Sequence, residues 1–220
     1  MSHTQIPTHK DKIIIVEGNT DIRLFDHFFQ MNNLDTSGIH IEPAGNVHRI
    51  GEVVQNIRIR FPNYKTFLII VDRDSHLPQL PNHFQVICQA LAQVSLPQPS
   101  GEGVLSVSVN GFQTGIYVMP GSESGHMIED LLFKTIHEDQ QTLINIFFDQ
   151  FDALSELCKN HFQYDPITQR PLRNPSKAKL NVYRATFCDI KNPDFENHWD
   201  LTNTVFDDFK TFLQPILAQL

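Results

Sequence analysis

The chain has 220 residues, a formal net charge of −8, 40% hydrophobic and 19% charged residues, which is the composition of an ordinary globular domain. No apolar stretch approaches the roughly 20 residues of a membrane-spanning helix, and the first residues lack the basic and apolar blocks of a signal peptide, so we expect a cytoplasmic protein without a membrane partner. The net acidity argues against a broad non-specific grip on nucleic acid, which needs clustered lysines and arginines.

The first half of the chain alternates strand and helix patterns. Three strands are predicted: the first reaches Val16, the second covers residues 39–42, and the third carries Asp72 and Asp74. Helices are predicted between them, over about residues 20–32 and 47–60. The first and third strands are apolar runs without polar alternation, which suits a parallel sheet buried on both faces. This order predicts an α/β domain with right-handed crossovers.

The second half begins with one more predicted helix, over residues 82–94. Residues 104–109 and 115–119 form either a hairpin or a fourth core strand with an edge companion. Another helix opens at Met127, and the last one spans about residues 203–218. We therefore predict an α/β domain over residues 1–135 and a helical C-terminal extension over residues 136–220, packed on the same body.

Acidic residues follow two of the buried strands. Glu17 comes directly after Val16, and Asp72 and Asp74 come at the end of the third strand. Ligands of open α/β sheets bind outside the carboxyl ends of the strands, so these side chains are expected to meet there. Three carboxylates would repel one another unless a cation joined them, and hard oxygen ligands suit Mg²⁺ or Mn²⁺. The pattern predicts a metal-dependent site.

Cysteine and histidine offer no competing metal site. Cys88, Cys158 and Cys188 are far apart and form no Cys-x-x-Cys motif, so they are expected to be reduced thiols, mostly in the interior. No histidine pair at zinc-ligand spacing is followed by a third ligand. His126 and His137 lie near the candidate site in sequence, and we expect them to be surface or capping residues.

The segments Val16-Glu17-Gly18-x-x-Asp21 and Val71-Asp72-x-Asp74 resemble the motifs of the Toprim domain of primases, topoisomerases and small nucleases. Other segments resemble a small uncharacterised bacterial Toprim family related to the overcoming-lysogenization-defect (OLD) nucleases: residues 119–120, 125–131, 177–179, 199–201 and 206–213. The resemblance covers nearly the whole chain. It implies a Toprim-like, Rossmann-type core with a mainly parallel sheet flanked by helices, plus the helical C-terminal extension.

The resemblance also implies roles for the acids. In Toprim enzymes the glutamate after the first strand acts as a general acid or base, and the Asp-x-Asp pair holds divalent cations. Glu17 takes the first role here and Asp72 and Asp74 the second, with all three as candidate catalytic residues and metal ligands. Glu129 and Asp130 are further candidate ligands, although acids are also common in the first turn of any helix.

Five residues are candidates for binding substrate: Gly18, Asp21, Arg73, Lys177 and Lys179. Gly18 either lets the backbone approach a phosphate closely or is a simple turn glycine. Asp21 orients this loop or, as we favour, caps the following helix, whose N-cap residue is expected to be Thr20 or Asn19. Arg73 would neutralise the aspartate before it or contact phosphate. The two lysines contact a nucleic-acid backbone or face solvent.

The leading hypothesis is a Mg²⁺- or Mn²⁺-dependent hydrolase or transferase of phosphodiester bonds, a nuclease acting on RNA or DNA. Phosphoryl transfer needs positive charge against the developing oxyanion, which a carboxylate-held cation supplies. The alternative is a regulatory module that binds metal or nucleotide without turnover, alone or with a protein partner in a bacterial defence or toxin system. A third interpretation is a degenerate fold whose acids face water. Oligomeric state stays open.

Overall fold

The computed structural model describes residues 6–73, 82–123, 128–136, 142, 145–150, 153 and 199–217. The chain divides into two compact units. The first consists of Met1–Ile128 and Leu201–Leu220, and the second consists of Glu129–Asp200. The predicted boundary between residues 135 and 136 stays a prediction. Several residues of the sequence analysis lie outside the described part: Asp74, His126, His137, Cys158, Lys177, Lys179 and Cys188.

The first unit contains a five-stranded sheet in the order β2-β1-β3-β5-β4. The strands are β1 (Lys12–Val16), β2 (Ile39–Pro43), β3 (Thr66–Asp72), β4 (Leu105–Val107) and β5 (Gln113–Met119). Strands β2, β1, β3 and β5 run parallel, and β4 is antiparallel to β5. Both alternatives for this last pair therefore hold, because β5 is the fourth core strand and β4 is its hairpin partner at the edge.

The helices confirm the predicted α/β class. The helices whose bounds lie within the described residues are α1 (Asn19–Met31), α2 (Ile50–Arg60), α3 (His83–Gln93), α4 (Ile128–Lys134) and α5 (Asp207–Leu217). Short 3₁₀ turns, Val47–Arg49 and Thr204–Phe206, lead into α2 and α5. Within the described stretches, no helix has the length and apolar character needed to cross a membrane.

Both faces of the sheet are covered, which explains the unbroken apolar runs. On one face, Ile13 and Ile69 belong to a core cluster that includes Ile50 of α2 and Ile87 of α3. The other face packs aromatic rings. On that face, a run of ring contacts joins α1 to β5 through the 3₁₀ turn and α5: Phe28 with Phe206 and Phe209, and Tyr117 with Phe209 and Phe212, at centroid distances of 5.1–5.4 Å. The C-terminal helix is thus part of the first unit.

The described part contains a single cysteine, Cys88 on α3. It is a half-buried free thiol, as predicted, and burial raises its pKa. A raised pKa keeps this sulfur in the less reactive protonated form at neutral pH.

A buried lysine joins the first strand to the last helix. Lys12 is 4% exposed, and its Nζ donates a hydrogen bond to the carbonyl of Ile216 in the last turn of α5 at 2.7 Å. Replacing Lys12 with Met leaves this carbonyl without its donor. We expect the Lys12→Met variant to lose about 1–3 kcal/mol of unfolding free energy, measured by urea titration.

The control for this variant is Lys210→Met on the same helix. The Lys210 side chain is more exposed and contacts Asp207 at 3.1 Å and the carbonyl of Thr202 at 2.8 Å. Exposed ion pairs contribute about 0–1 kcal/mol, so this change should cost less than Lys12→Met. Equal stability of Lys12→Met and the wild type would contradict the assigned role of the buried amine.

Tyr64 makes the stability of the protein depend on pH in the alkaline range. Its buried hydroxyl donates to the carbonyl of Pro7 at 2.8 Å. Burial, with smaller contributions from the Glu42 and Asp11 carboxylates, raises the pKa of Tyr64 from 10.0 to about 12. Because the folded-state pKa is the higher one, this stabilisation is complete below pH 10 and is lost as pH rises toward 12.

We therefore expect Tyr64→Phe to be less stable than the wild type at pH 8, by about 0.5–1.5 kcal/mol for the lost hydrogen bond. The difference should narrow at higher pH, because phenylalanine has no proton to lose. Urea unfolding of both proteins between pH 8 and 11.5 measures it. A difference that stays constant over this range would show that Tyr64 ionises equally well in the folded and unfolded chains.

Candidate metal site at the carboxyl end of the sheet

The carboxylate of Glu17 contacts the backbone of Asp72 where strands β1 and β3 end. These strands are parallel neighbours, with Val16 opposite Ile70, so Glu17 follows β1 at the level where β3 reaches its last residues. The backbone N–H of Asp72 donates to Glu17 Oε1 at 3.2 Å. Both residues are half-buried. The fold therefore brings Glu17 and Asp72 together, although 54 residues lie between them in the sequence.

Asp72 is held from three neighbouring segments. It lies opposite Met119 in the β3–β5 ladder, and its Oδ1 accepts a hydrogen bond from the backbone N–H of Ile128 at 3.0 Å. Its carbonyl oxygen lies 2.7 Å from Nδ1 of His83 at the start of α3. Since a carbonyl only accepts, Nδ1 carries the proton and donates. These contacts fix both the backbone and the carboxylate of Asp72.

His83 is a site neighbour that the sequence analysis missed. It is 9% exposed. No strand or helix pattern in the sequence predicts how the chain runs from the end of β3 to this residue. The available signal was a histidine in the first turn of the helix after the acidic strand. Many such histidines face solvent, so the sequence alone did not distinguish it from the other ten.

The backbone of Glu17 is anchored by the loop after β2. Its carbonyl accepts from the N–H of Gly45 at 2.7 Å, and the carbonyl of Val16 accepts from Ala44 at 2.8 Å. Gly45 has φ +88°, a left-handed conformation that glycine adopts without steric cost. The turn Ala44-Gly45 thus extends the β1–β2 pairing by one step and steadies the backbone beneath the Glu17 side chain.

The loop after Glu17 is a helix cap. The predicted N-cap residues Thr20 and Asn19 are wrong, because the N-cap of α1 is Gly18 in an extended conformation. The N–H of Gly18 donates to Asp21 Oδ2 at 2.8 Å, so the carboxylate of the first turn reaches back and closes the loop. Asp21 therefore has the capping role that we favoured. Substrate binding by Gly18 and Asp21 stays a prediction.

Arg73 turns toward a different acid from the one predicted. Its guanidinium forms an ion pair with Glu102 at 2.7 Å and lies 3.4 Å from the carbonyl of Gly121. Its backbone N–H donates to the carbonyl of Met119 at 3.0 Å. The charge partner shown is therefore Glu102 and not the preceding Asp72. Contact with phosphate stays a prediction.

Glu129 and Asp130 lie in the first turn of α4, in the second unit. Glu129 is 8% exposed. Their roles as metal ligands stay predictions, as do those of Asp74, Lys177 and Lys179 outside the described residues.

The donor chemistry of this site fits Mg²⁺. Mg²⁺ is commonly bound by one or two carboxylates together with waters and substrate phosphates, and Glu17 with Asp72 supplies such a pair. A carboxylate has about four lone-pair sites, so a hydrogen bond and a cation can share it. In the part of the chain that the structure describes, no group of three or more His, Cys, Asp or Glu side chains is arranged to hold a metal. Asp74 is not among these residues.

The model of a family described as "Protein of unknown function (DUF3226)" matches residues 11–217. No curated protein matches the chain. The C-terminal region of the Xanthomonas campestris pv. campestris OLD protein, phased with iodine, is similar over 96% of this chain and 97% of that chain, with 16% identity and a TM-score of 0.48. The same region phased with mercury shows 15% identity over 96% and 97% of the two chains, also with a TM-score of 0.48.

Proposed function

This chain belongs to DUF3226, a family described as of unknown function, and we propose that it is a Mg²⁺-dependent phosphodiester hydrolase of the nuclease type. The observation that carries this proposal is the pairing of Glu17 with Asp72 at the carboxyl ends of adjacent parallel strands, through the 3.2 Å hydrogen bond from Asp72 N–H to Glu17 Oε1. Paired carboxylates at this edge of an α/β sheet are typical of a site for metal and phosphate.

The proposed roles divide among the residues as follows. Asp72 and Asp74 hold the cation, and Glu17 contributes a further oxygen or moves a proton as general acid or base. Glu129 and Asp130 are proposed as additional ligands. When bound, the cation stabilises negative charge on the phosphate and lowers the pKa of an attacking water. Substrate phosphate is proposed to contact Gly18, Arg73, Lys177 and Lys179.

Rigidity around Asp72 supports this division. Catalytic carboxylates must hold their geometry while charge develops on the phosphate, since reorganisation costs transition-state stabilisation. Hydrogen bonds from Ile128 N–H and from His83 Nδ1 hold the Asp72 carboxylate and carbonyl respectively. His83 is therefore proposed to position the strand end and not to react.

The experiment is a cleavage assay on labelled tRNA, single-stranded RNA, and single- and double-stranded DNA, each with Mg²⁺, Mn²⁺ or EDTA. We expect at least one substrate to be cut in the presence of metal and none in EDTA. Cleavage that persists in EDTA would contradict the proposal. If no substrate is cut but metal raises the melting temperature, the result supports the alternative of a binding module or an enzyme that requires a partner.

A further inference from the structure

A cleft of about 400 Å³ opens next to the proposed metal site, on the face of the sheet covered by α5. Its lining includes two aromatic rings, Tyr117 and Phe212, and the acidic side chains of Glu102 and Asp208. Cavities of this size bind small planar ligands through apolar walls and a few fixed polar groups. The roles proposed above for the metal site do not use this cleft.

The aromatic wall of the cleft is firmly packed. The Tyr117 and Phe212 rings lie 5.3 Å apart at 39°, and both side chains are at most 5% exposed. Gly121 borders this wall with φ +73°, and a Cβ at this position would overlap the Tyr117 hydroxyl. The Tyr117 hydroxyl therefore packs directly against Gly121, which leaves no room for a side chain and fixes the phenol at the border of the cleft. Since both side chains are almost fully buried, they give the cleft a rigid apolar wall against which a flat ligand can pack.

The polar rim carries acceptors and donors side by side. The Glu102 carboxylate is held at 2.7 Å by the Arg73 guanidinium, and Asp208 Oδ2 accepts from the N–H of Ser122 at 3.2 Å. Burial, followed by the Asp208 and Glu123 carboxylates, raises the pKa of Tyr117 far above its usual range, so its hydroxyl remains a donor. An acidic rim disfavours a free anion and favours a ligand edge that is rich in N–H groups.

Guanine has the complementary edge. Its N1–H and exocyclic amine are adjacent donors that a carboxylate accepts together, and its O6 and N7 are acceptors that arginine reads. The Glu102–Arg73 pair presents a carboxylate and a guanidinium next to each other, as this combination of donors and acceptors requires. Adenine, which lacks the N1 donor and O6, matches the pair less well.

Arg73 also connects the cleft to the metal site. It directly follows Asp72, and its guanidinium reaches Glu102 and the carbonyl of Gly121, both lining residues of the cleft. We infer that the cleft is a guanine-binding subsite for the nucleotide whose phosphate is held at Asp72. This inference rests on the proposed nuclease function for its biological meaning, although base binding itself is measurable without metal or cleavage.

The test uses free guanosine and adenosine, with 5′-GMP and 5′-AMP as phosphate-bearing companions, titrated calorimetrically in EDTA. The wild type should bind guanosine about tenfold or more tightly than adenosine, in line with the discrimination of a good bidentate base contact. Glu102→Gln should lose this preference, because an amide replaces one acceptor oxygen with a donor. Glu52→Gln is the matched control, since Glu52 is an exposed residue of α2 and 62% of its side chain is accessible.

The outcomes separate this inference from the proposed function. Guanosine binding that is lost in Glu102→Gln, in a protein that cuts no nucleic acid, would support the subsite and contradict the nuclease. Cleavage without base preference and without guanosine binding would overturn the subsite and leave the nuclease standing. Equal binding of guanosine and adenosine, or an unchanged preference in Glu102→Gln, would also overturn it.

Discussion

Asp72→Asn is expected to abolish metal-dependent cleavage while preserving the fold. Asparagine has the same size and keeps an Oδ1 that can accept from the N–H of Ile128, as Asp72 does at 3.0 Å. The variant loses the negative charge that holds a cation, so positive charge is no longer placed against the phosphate. We expect the cleavage rate to fall at least about 10²–10³-fold, comparable to the removal of one preorganised electrostatic group.

The matched control is Asp35→Asn. Asp35 is an exposed aspartate before β2, at the amino end of the sheet, and its Oδ1 accepts from the N–H of Ser37 at 2.8 Å. The Asp35→Asn substitution changes the net charge by the same amount as Asp72→Asn, but at a position away from the site, so the cleavage rate should be nearly unchanged. Metal-induced thermal stabilisation should disappear in Asp72→Asn and persist in Asp35→Asn. Activity and metal stabilisation that both survive in Asp72→Asn would remove Asp72 from the metal site.

The features that sequence predicted best are those that depend on local pattern. The run Ile13–Val16 reads as a strand buried on both faces because each of its residues is apolar, and every one is at most 1% exposed. The chain direction then places Glu17 and Asp72 at the same edge, since parallel strands end together. Strand position and candidate acids therefore follow from short stretches of sequence and one topological rule.

The features that sequence missed depend on partners chosen by the tertiary fold. Arg73 pairs with Glu102, which is 29 residues away in a loop with no periodic pattern. His83 bonds to a backbone carbonyl, which leaves no trace in residue type. At the start of α1, Gly18 has no capping side chain of its own, so the local rule favoured Thr20 or Asn19. The Asp21 carboxylate accepts from the N–H of Gly18 itself, and this hydrogen bond stabilises Gly18 as the N-cap residue.

Gly115→Ala is expected to destabilise the protein through the contact between β5 and α5. A Cβ on Gly115 would lie 2.7 Å from Leu105 Cδ2 and 2.8 Å from Phe212 Cε2. Leu105 is half-buried and can shift, whereas Phe212 is packed against Tyr117 and is 3% exposed. Overpacking of this kind costs about 1–3 kcal/mol. Thermal unfolding should show a Tm lower by about 2–4 °C for each kcal/mol.

Two further variants test the cause of this loss. Gly101→Ala is the control, because its Cβ would meet only Val104 Cγ2 at 3.8 Å, so little change is expected. Phe212→Leu removes the ring atoms that oppose the new methyl group and leaves a cavity when made alone. The double variant Gly115→Ala, Phe212→Leu should therefore lose less unfolding free energy than the two single variants lose together. The expected coupling free energy is about 0.5–3 kcal/mol. Strict additivity would mean that α5 does not press on β5 at Gly115, and that another contact sets the distance between this helix and the sheet.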